Sequence, residues 1–133
     1  MNDKIKILIA EDEKGIAWTL NLKLIHEGFE TKVVSNGKDA VESLNNEKFD
    51  LLVLDLMMPE LDGFGVLTEI KSKGIKIPVI VSSSLSQQED ILRVKELGAV
   101  DFFIKSDMSV AEIVEKIKNY ISLNYEIPKK IKK

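Results

Sequence analysis

The chain has 133 residues, the usual size of one domain and too few for two independent cores of ordinary size. Apolar residues make up 44% and charged residues 31%, a balance that excludes a disordered acidic chain, a collagen-like repeat and a multi-span membrane protein. There is no cysteine, which excludes disulfides, thiol catalysis and thiolate zinc sites, and a single histidine, His26, disfavours a Ser/His/Asp hydrolase.

Five apolar runs rich in β-branched residues predict five strands, at residues 5–10, 31–34, 51–54, 77–81 and 100–104. The segments that separate the first four runs have apolar residues at helical spacing. These residues are Ile16, Leu20 and Leu24 in the first segment, Ala40, Val41 and Leu44 in the second, and Val66, Leu67 and Ile70 in the third.

Two further helices are predicted by their starts. Ser86 and Ser109 are each followed three residues later by a glutamate, the spacing of a capping box in which serine and glutamate side chains bond free amides at a helix start. The fourth helix is expected to end before Gly98. The fifth has one apolar stripe that must pack on something, formed by Val110, Ile113, Val114, Ile117 and Ile121.

Strands and helices therefore alternate along the chain, and the run at residues 51–54 is apolar on both faces. This pattern predicts a doubly wound α/β sandwich, with a parallel sheet covered by helices on both sides. Sites in such folds form outside the carboxyl ends of the strands. The residues just after each run are therefore the candidates for chemistry.

Charged and hydroxyl side chains occupy those positions. Glu11 and Asp12 follow the first run, Asp55 the third, residues 82–84 (three serines) the fourth, and Lys105 the fifth. Carboxylates that converge at one edge repel each other unless cations balance them. Lys105 supplies one positive charge, and the remainder suits Mg²⁺, which prefers oxygen ligands. A carboxylate beside Mg²⁺ and a lysine can attack phosphorus, so Asp55 is a candidate phosphoacceptor.

Four segments in this order and spacing resemble the response-regulator receiver domain of two-component signalling. They are residues 7–13 (ILIAEDE), 55–63 (DLMMPELDG), 78–84 (PVIVSSS) and 98–105 (GAVDFFIK). The resemblance covers residues 4 to about 123. It implies a flavodoxin-like (βα)5 three-layer sandwich with a five-stranded parallel sheet of order 2-1-3-4-5. We expect a receiver domain at residues 1–124 and a short basic tail at 125–133.

The resemblance also implies a role for each matching residue. Asp55 is the expected phosphoacceptor, Glu11, Asp12, Asp55 and the backbone carbonyl of Met57 are the expected Mg²⁺ ligands, Ser83 bonds a phosphoryl oxygen, and Lys105 pairs with the phosphoryl group. The donor would be a histidine kinase or a histidine phosphotransferase.

Ser83 and Phe102 match the family's switch positions. Phosphorylation would draw Ser83 toward Asp55, open space for Phe102 to turn, and remodel the surface of the fourth helix, fifth strand and fifth helix. Met57 and Leu85 match positions that in this family border the path of the hydrolytic water, and both are apolar here, so we expect slow autodephosphorylation. Ser106 stands where the family usually has proline, which leaves open whether the peptide bond before it is cis or trans.

Residues 1–124 carry 15 basic and 21 acidic side chains, whereas residues 125–133 carry four lysines and one glutamate. An acidic body does not favour nucleic acid, so we expect no direct DNA binding. The start of the chain has too short an apolar run for a signal peptide or membrane span, and a cytoplasmic location is the default. The expected protein is a single-domain regulator, a monomer or a weak dimer through the switch surface, that signals to a downstream protein.

Two other functions lack residues that they require. A haloacid-dehalogenase-type phosphatase needs a second carboxylate two residues after its nucleophile, where this chain has Met57. A flavodoxin-like flavin carrier needs a phosphate-binding loop after the first strand, where this chain has acids. A receiver-like module that binds proteins without being phosphorylated remains the alternative.

Overall fold

The computed structural model describes residues 4–125 of the chain. The strands are β1 (Lys6–Ala10), β2 (Glu30–Val34), β3 (Leu51–Leu54), β4 (Val79–Ser83) and β5 (Asp101–Ile104). The helices are α1 (Lys14–His26), α2 (Gly37–Asn46), α3 (Gly63–Lys73), α4 (Gln88–Glu96) and α5 (Val110–Asn124). A short 3-10 helix at Lys105–Asp107 connects β5 to α5. The predicted alternation of strands and helices is confirmed.

The strands form one parallel sheet in the order β2-β1-β3-β4-β5. This confirms the flavodoxin-like order 2-1-3-4-5. The chain leaves β1 toward one edge of the sheet to form β2, and then returns past β1 to form β3. The order of the strands therefore reverses beside β1, and ligand sites of such sheets lie at the carboxyl end of that point.

Successive residues of each strand face opposite sides of the sheet, and each side has its own apolar core. In β3, Leu52 and Leu54 belong to the core beneath α2, α3 and α4, whereas Leu51 and Val53 belong to the core beneath α1 and α5. All four residues are buried. A strand with this two-sided burial must be apolar throughout, which explains the continuous run in the sequence.

The end of β4 differs from the sequence prediction. The apolar run predicted a strand at residues 77–81, but the observed strand continues through Ser82 and Ser83, which pair with Phe103 and Ile104 of β5. Apolar patterning misses these residues because their small hydroxyl side chains do not mark a strand. The two serines thus end β4 itself instead of following it.

One of the two predicted capping boxes is wrong. Ser109 and Glu112 form the reciprocal pair of bonds at the start of α5, with distances of 3.1 and 2.9 Å, as predicted. Helix α4, however, has Gln87 as its N-cap residue and no side-chain cap bond. Ser86 lies one residue before that position, so its hydroxyl is out of register with the free amides of the helix.

The predicted end of α4 and the predicted apolar stripe of α5 are both confirmed. Helix α4 ends at Glu96, and Gly98 after it has a φ of 104°, a backbone conformation that favours glycine. Four residues of the predicted stripe on α5 are buried in the core, and Val110 packs against it partly exposed. No helix in residues 4–125 is long and apolar enough to cross a membrane.

The predicted boundary between domain and tail falls next to Tyr125. This residue packs against the α1/α5 core, and its hydroxyl donates a hydrogen bond of 2.6 Å to the carbonyl of Asp50. The rest of the predicted basic tail, residues 126–133, lies outside the described residues.

Candidate functional site

The register of the central strands brings Glu11 and Asp55 together. Ala10, the last residue of β1, is the partner of Leu54, the last residue of β3. The next residues in each chain segment are Glu11 and Asp55, and the Asp55 amide donates a 2.9 Å hydrogen bond to the Ala10 carbonyl. Both acids therefore leave the sheet at the same edge. Neither could lie elsewhere without breaking the parallel ladder.

The loop after Asp55 is held closely against the start of α3. The amide of Gly63 donates a 2.9 Å hydrogen bond to the carbonyl of Leu56. A Cβ atom at position 63 would lie 2.6 Å from the Asp55 carbonyl oxygen and 2.7 Å from the Leu56 Cα. Both neighbours are backbone atoms that cannot rotate away. The missing side chain of Gly63 thus allows the close approach that fixes the backbone of Asp55.

Three carboxylates converge at this edge of the sheet. Glu11, Asp12 and Asp55 each offer one oxygen, and these oxygens lie within 4.8 Å of one another. Glu11 and Asp55 are 5% and 4% exposed, whereas Asp12 is exposed. The amide of Met57 donates a 3.3 Å hydrogen bond to Asp55. The arrangement is a buried acidic pocket with one side open to solvent.

Lys105 lies at this pocket, as predicted. Its Nζ is 2.9 Å from a carboxylate oxygen of Glu11 and 3.5 Å from Oδ2 of Asp55. The 3-10 helix begins at this residue and turns the chain directly after β5. Residues 4–125 contain no cis peptide bond, so the bond between Lys105 and Ser106 is trans.

Burial and charge shift the pKa values of these groups. Burial raises the pKa of Glu11 to about 7, against the lowering effect of its hydrogen bond with Lys105, and the charge of Asp55 adds to the increase. Burial also raises the pKa of Asp55. For Lys105, burial alone would lower the pKa, but its hydrogen bond with Glu11 and the surrounding carboxylates together raise it. Burial is thus the main cause of the raised carboxylate pKa values, and the contact with Lys105 offsets it only in part.

The donor set fits a hard divalent cation. All of the groups offered by Glu11, Asp12 and Asp55 are carboxylate oxygens, and Mg²⁺ prefers oxygen ligands and binds through one or two carboxylates and water molecules. Burial raises the pKa values of Glu11 and Asp55 because it disfavours their charged forms, and a divalent cation bound between these carboxylates would favour the charged forms again.

The remaining predicted residues lie in different environments. Ser83 is fully buried at the end of β4, and its hydroxyl oxygen accepts a 3.1 Å hydrogen bond from the amide of Leu85. Met57 is 56% exposed. Phe102 and Leu85 are half-buried against the core beneath α2, α3 and α4. His26 is the last residue of α1 and is far from the pocket, which lies near the start of that helix.

Sequence reasoning missed the contact made by Glu13. Its Oε1 lies 3.5 Å from Nζ of Lys105, and its backbone amide donates a 3.1 Å hydrogen bond to the carboxylate of Glu11. The only signal in the sequence was a third acid directly after Glu11 and Asp12. A pairing between residues 92 positions apart requires the fold to be known.

Comparison with known proteins places this geometry in a family. The response regulator receiver domain family matches residues 7–118. Response regulator SaeR of Staphylococcus aureus is 33% identical over 116 residues, which are 87% of this chain and 50% of that protein. The chain thus spans about half the length of the curated relatives it matches.

Solved structures of receiver domains are also similar to this chain. The receiver domain of the Francisella response regulator 1452 is 30% identical, with a TM-score of 0.84, over 92% of this chain and 100% of that chain. The BeF3-activated receiver domain of DrrB is 27% identical, with a TM-score of 0.78, over 90% of this chain and 98% of that chain.

Receiver domains are phosphoacceptors rather than conventional enzymes, and they generally bind Mg²⁺ in an acidic pocket. They interact with histidine kinases and downstream effectors. The family match here extends from β1 into α5 and includes all five strands of the sheet. The chain therefore belongs to the response regulator receiver domain family of two-component signalling.

Proposed function

We propose that this chain accepts a phosphoryl group on Asp55 from a phosphohistidine of a histidine kinase or histidine phosphotransferase, in a Mg²⁺-dependent reaction. The observation that carries the proposal is the pocket itself. Asp55 is a 4% exposed carboxylate, it lies 3.5 Å from the ammonium of Lys105, and two further carboxylates offer oxygens within 4.8 Å of its own.

The chemistry assigns each group a task. A carboxylate oxygen of Asp55 attacks the phosphorus atom, the phosphorus–nitrogen bond breaks, and its electron pair leaves with the imidazole. Lys105 pairs with a phosphoryl oxygen as negative charge is redistributed, and the hydroxyl of Ser83 donates to another. Glu11, Asp12, Asp55 and the backbone carbonyl of Met57 would hold Mg²⁺, which would neutralise negative charge at the reacting oxygens.

We further propose that phosphorylation changes the surface formed by α4, β5 and α5. Ser83 is fully buried and bonds the amide of Leu85, so drawing its hydroxyl toward Asp55 exchanges one bond for another and shifts the β4–α4 connection. Phe102 packs on the core that also contains Val94 of α4. Its rotation into the space vacated by Ser83 would carry the change to α4.

The residues two positions after Asp55 and Ser83 favour a long-lived phosphoryl group. Met57 and Leu85 follow Asp55 and Ser83 by two residues, and neither side chain can bond or orient a water molecule strongly. The chain therefore does not act as an efficient phosphatase of its own acyl phosphate. An asparagine at either position would supply the missing hydrogen-bonding group and shorten the lifetime of the label.

The partners in this proposal are proteins. The donor carries the phosphohistidine, and a downstream protein recognises the changed surface, which also serves any weak self-association. The acidic body of the domain disfavours direct contact with DNA. A cytoplasmic location accords with a histidine kinase as the donor.

The test is phosphotransfer from labelled phosphohistidine donors in the presence and absence of Mg²⁺. We expect labelling of the wild-type chain and of His26→Ala, and no labelling of Asp55→Asn or of wild type without divalent cations. The label should decay slowly. Loss of labelling in His26→Ala with retention in Asp55→Asn would contradict the assignment.

Beryllofluoride with Mg²⁺ separates this function from the alternative. Binding of this phosphoryl mimic to the wild-type chain, but not to Asp55→Asn, is expected for a phosphoacceptor. A receiver-like module that works without phosphorylation would give neither binding nor labelling.

A further inference from the structure

Glu13 contacts the start of α1, Glu11 and Lys105, although no role in the proposed reaction has been given to it. Its backbone carbonyl accepts the first hydrogen bond of α1, from the amide of Ala17, at 2.9 Å. Its backbone amide bonds the carboxylate of Glu11 at 3.1 Å. Although Glu13 is the N-cap residue of α1, its side chain makes no cap bond. The carboxylate instead lies 3.5 Å from Nζ of Lys105.

The ammonium of Lys105 has one donor for each carboxylate around it. An ammonium group carries three N–H donors and no acceptor. In the structure, Nζ lies 2.9 Å from Glu11 and 3.5 Å from both Asp55 and Glu13. The side chain of Lys105 is 13% exposed, whereas that of Glu13 is 63% exposed. Glu13 therefore contacts the ammonium from the solvent side, and Asp55 contacts it from the buried side.

Of the three carboxylates that contact Lys105, Glu11 and Asp55 have other roles in the proposed reaction. Glu11 is a proposed Mg²⁺ ligand, and the donor that faces Asp55 must turn to a phosphoryl oxygen. Only the carboxylate of Glu13 has no other role among these three contacts of Lys105. We propose that Glu13 is a positioning residue, which holds the ammonium of Lys105 over the pocket so that one of its donors stays directed at the phosphoryl group on Asp55.

The physical reason is the length and freedom of the lysine side chain. Fixing such a chain costs rotational entropy at the moment the phosphoryl group arrives, and a partner already in place reduces that cost. Lys105 follows β5, an edge strand that pairs only with β4, and it begins a 3-10 helix outside the sheet. Glu13 supplies a second attachment from the β1–α1 loop.

This inference rests on the proposed phosphoacceptor role of Asp55. Its test is the affinity of the full chain for beryllofluoride in the presence of Mg²⁺, measured by calorimetry for wild type, Glu13→Gln and Asp107→Asn. Asp107 is a matched control because it is an exposed acid two residues after Lys105, and its replacement removes the same charge from the same edge.

The two variants should differ in direction. Removing an exposed negative charge reduces repulsion of an anion, so Asp107→Asn should bind beryllofluoride as tightly as wild type or more tightly. Glu13→Gln should bind about two- to fivefold more weakly, the range expected for an exposed ion pair. Equal or tighter binding by Glu13→Gln would overturn the inference and leave the proposed function intact. Failure of wild type to bind would overturn both.

A double-mutant cycle distinguishes positioning from a general effect on the fold. If Glu13 acts through Lys105, its replacement should change the affinity in the wild-type background but not in a Lys105→Met background. If Glu13→Gln lowered the affinity for beryllofluoride by the same factor in both backgrounds, the effect would arise in the β1–α1 loop alone, and the inference would be overturned. Urea unfolding of each variant verifies that the exposed substitutions leave the domain folded.

Discussion

At the scale of single residues, the position of Asp55 depends on a neighbour that has no side chain. Gly63 starts α3 directly against the backbone that carries Asp55 and Leu56. Gly15, in the first turn of α1, has no atom within 4 Å of the place where a Cβ would lie. The two glycines therefore have opposite relations to their surroundings, although both stand at the start of a helix in the sequence.

We expect Gly63→Ala and Gly15→Ala to change stability in opposite directions. At position 63 the new methyl group collides with backbone atoms and should lower the free energy of unfolding by about 1–3 kcal/mol, as for other overpacked sites. At position 15 alanine meets open space and favours the helix, which should raise it by about 0.5–1 kcal/mol. Urea denaturation measures both changes. Equal effects would contradict the crowding seen at Gly63.

At the scale of the elements, helix starts differ in how their free amides are bonded. Asn36 caps α2 by accepting a 2.7 Å bond from the amide of Asp39, and Asp62 caps α3 by accepting a 2.9 Å bond from the amide of Gly65. Ser109 forms the full capping box at α5. Helix α4 has no such side-chain bond, although Ser86 and Glu89 have the spacing for one.

Alanine at the two serines tests this difference between α4 and α5. Ser109→Ala should destabilise the domain by about 1 kcal/mol, because an amide at the start of α5 loses its partner. Ser86→Ala should change stability by less than about 0.5 kcal/mol, because no bond of the helix depends on it. Thermal or urea unfolding of the two variants gives the comparison. A similar loss in both would show that Ser86 caps α4 in solution.

At the scale of the whole molecule, an ion-pair cluster ties α2 to the sheet at the edge opposite the pocket. Glu47, which follows α2, lies 2.8 Å from Nζ of Lys6 in β1 and 2.6 Å from Nζ of Lys32 in β2. Hydrogen bonds from Lys32 and Lys6 lower the pKa of Glu47 to about 2. The cluster joins three elements that are separate in the sequence.

This lowered pKa predicts a pH-dependent contribution to stability. A carboxylate with a lower pKa in the folded than in the unfolded chain stabilises the fold above its ordinary pKa of 4.5, and the effect is lost as the pH falls toward about 2. Glu47→Gln should therefore be less stable than wild type at pH 7, and the difference should shrink between pH 4.5 and pH 3. Urea unfolding at several pH values, with the exposed Glu42→Gln as control, measures it. A difference independent of pH would contradict the assignment.

Much of the molecule could be predicted because its determinants are local. Apolar runs and helical spacing are properties of neighbouring residues, so the five strands, the five helices and the acids that follow β1 and β3 were recognisable in order. The parallel sheet then follows from two-sided burial, and its carboxyl edge fixes where the site must lie. The strand order came from the resemblance to receiver domains.

Only the tertiary structure decided the features that join distant segments. The ammonium of Lys105 meets Glu11 and Glu13 across 94 and 92 residues, and its place depends on the turn that follows β5. The extension of β4 through two serines depends on pairing with β5, and the start of α4 after Gln87 depends on the path of the loop that follows. Backbone pairing and loop geometry set these contacts, and neither leaves a periodic signal in the side chains of one segment.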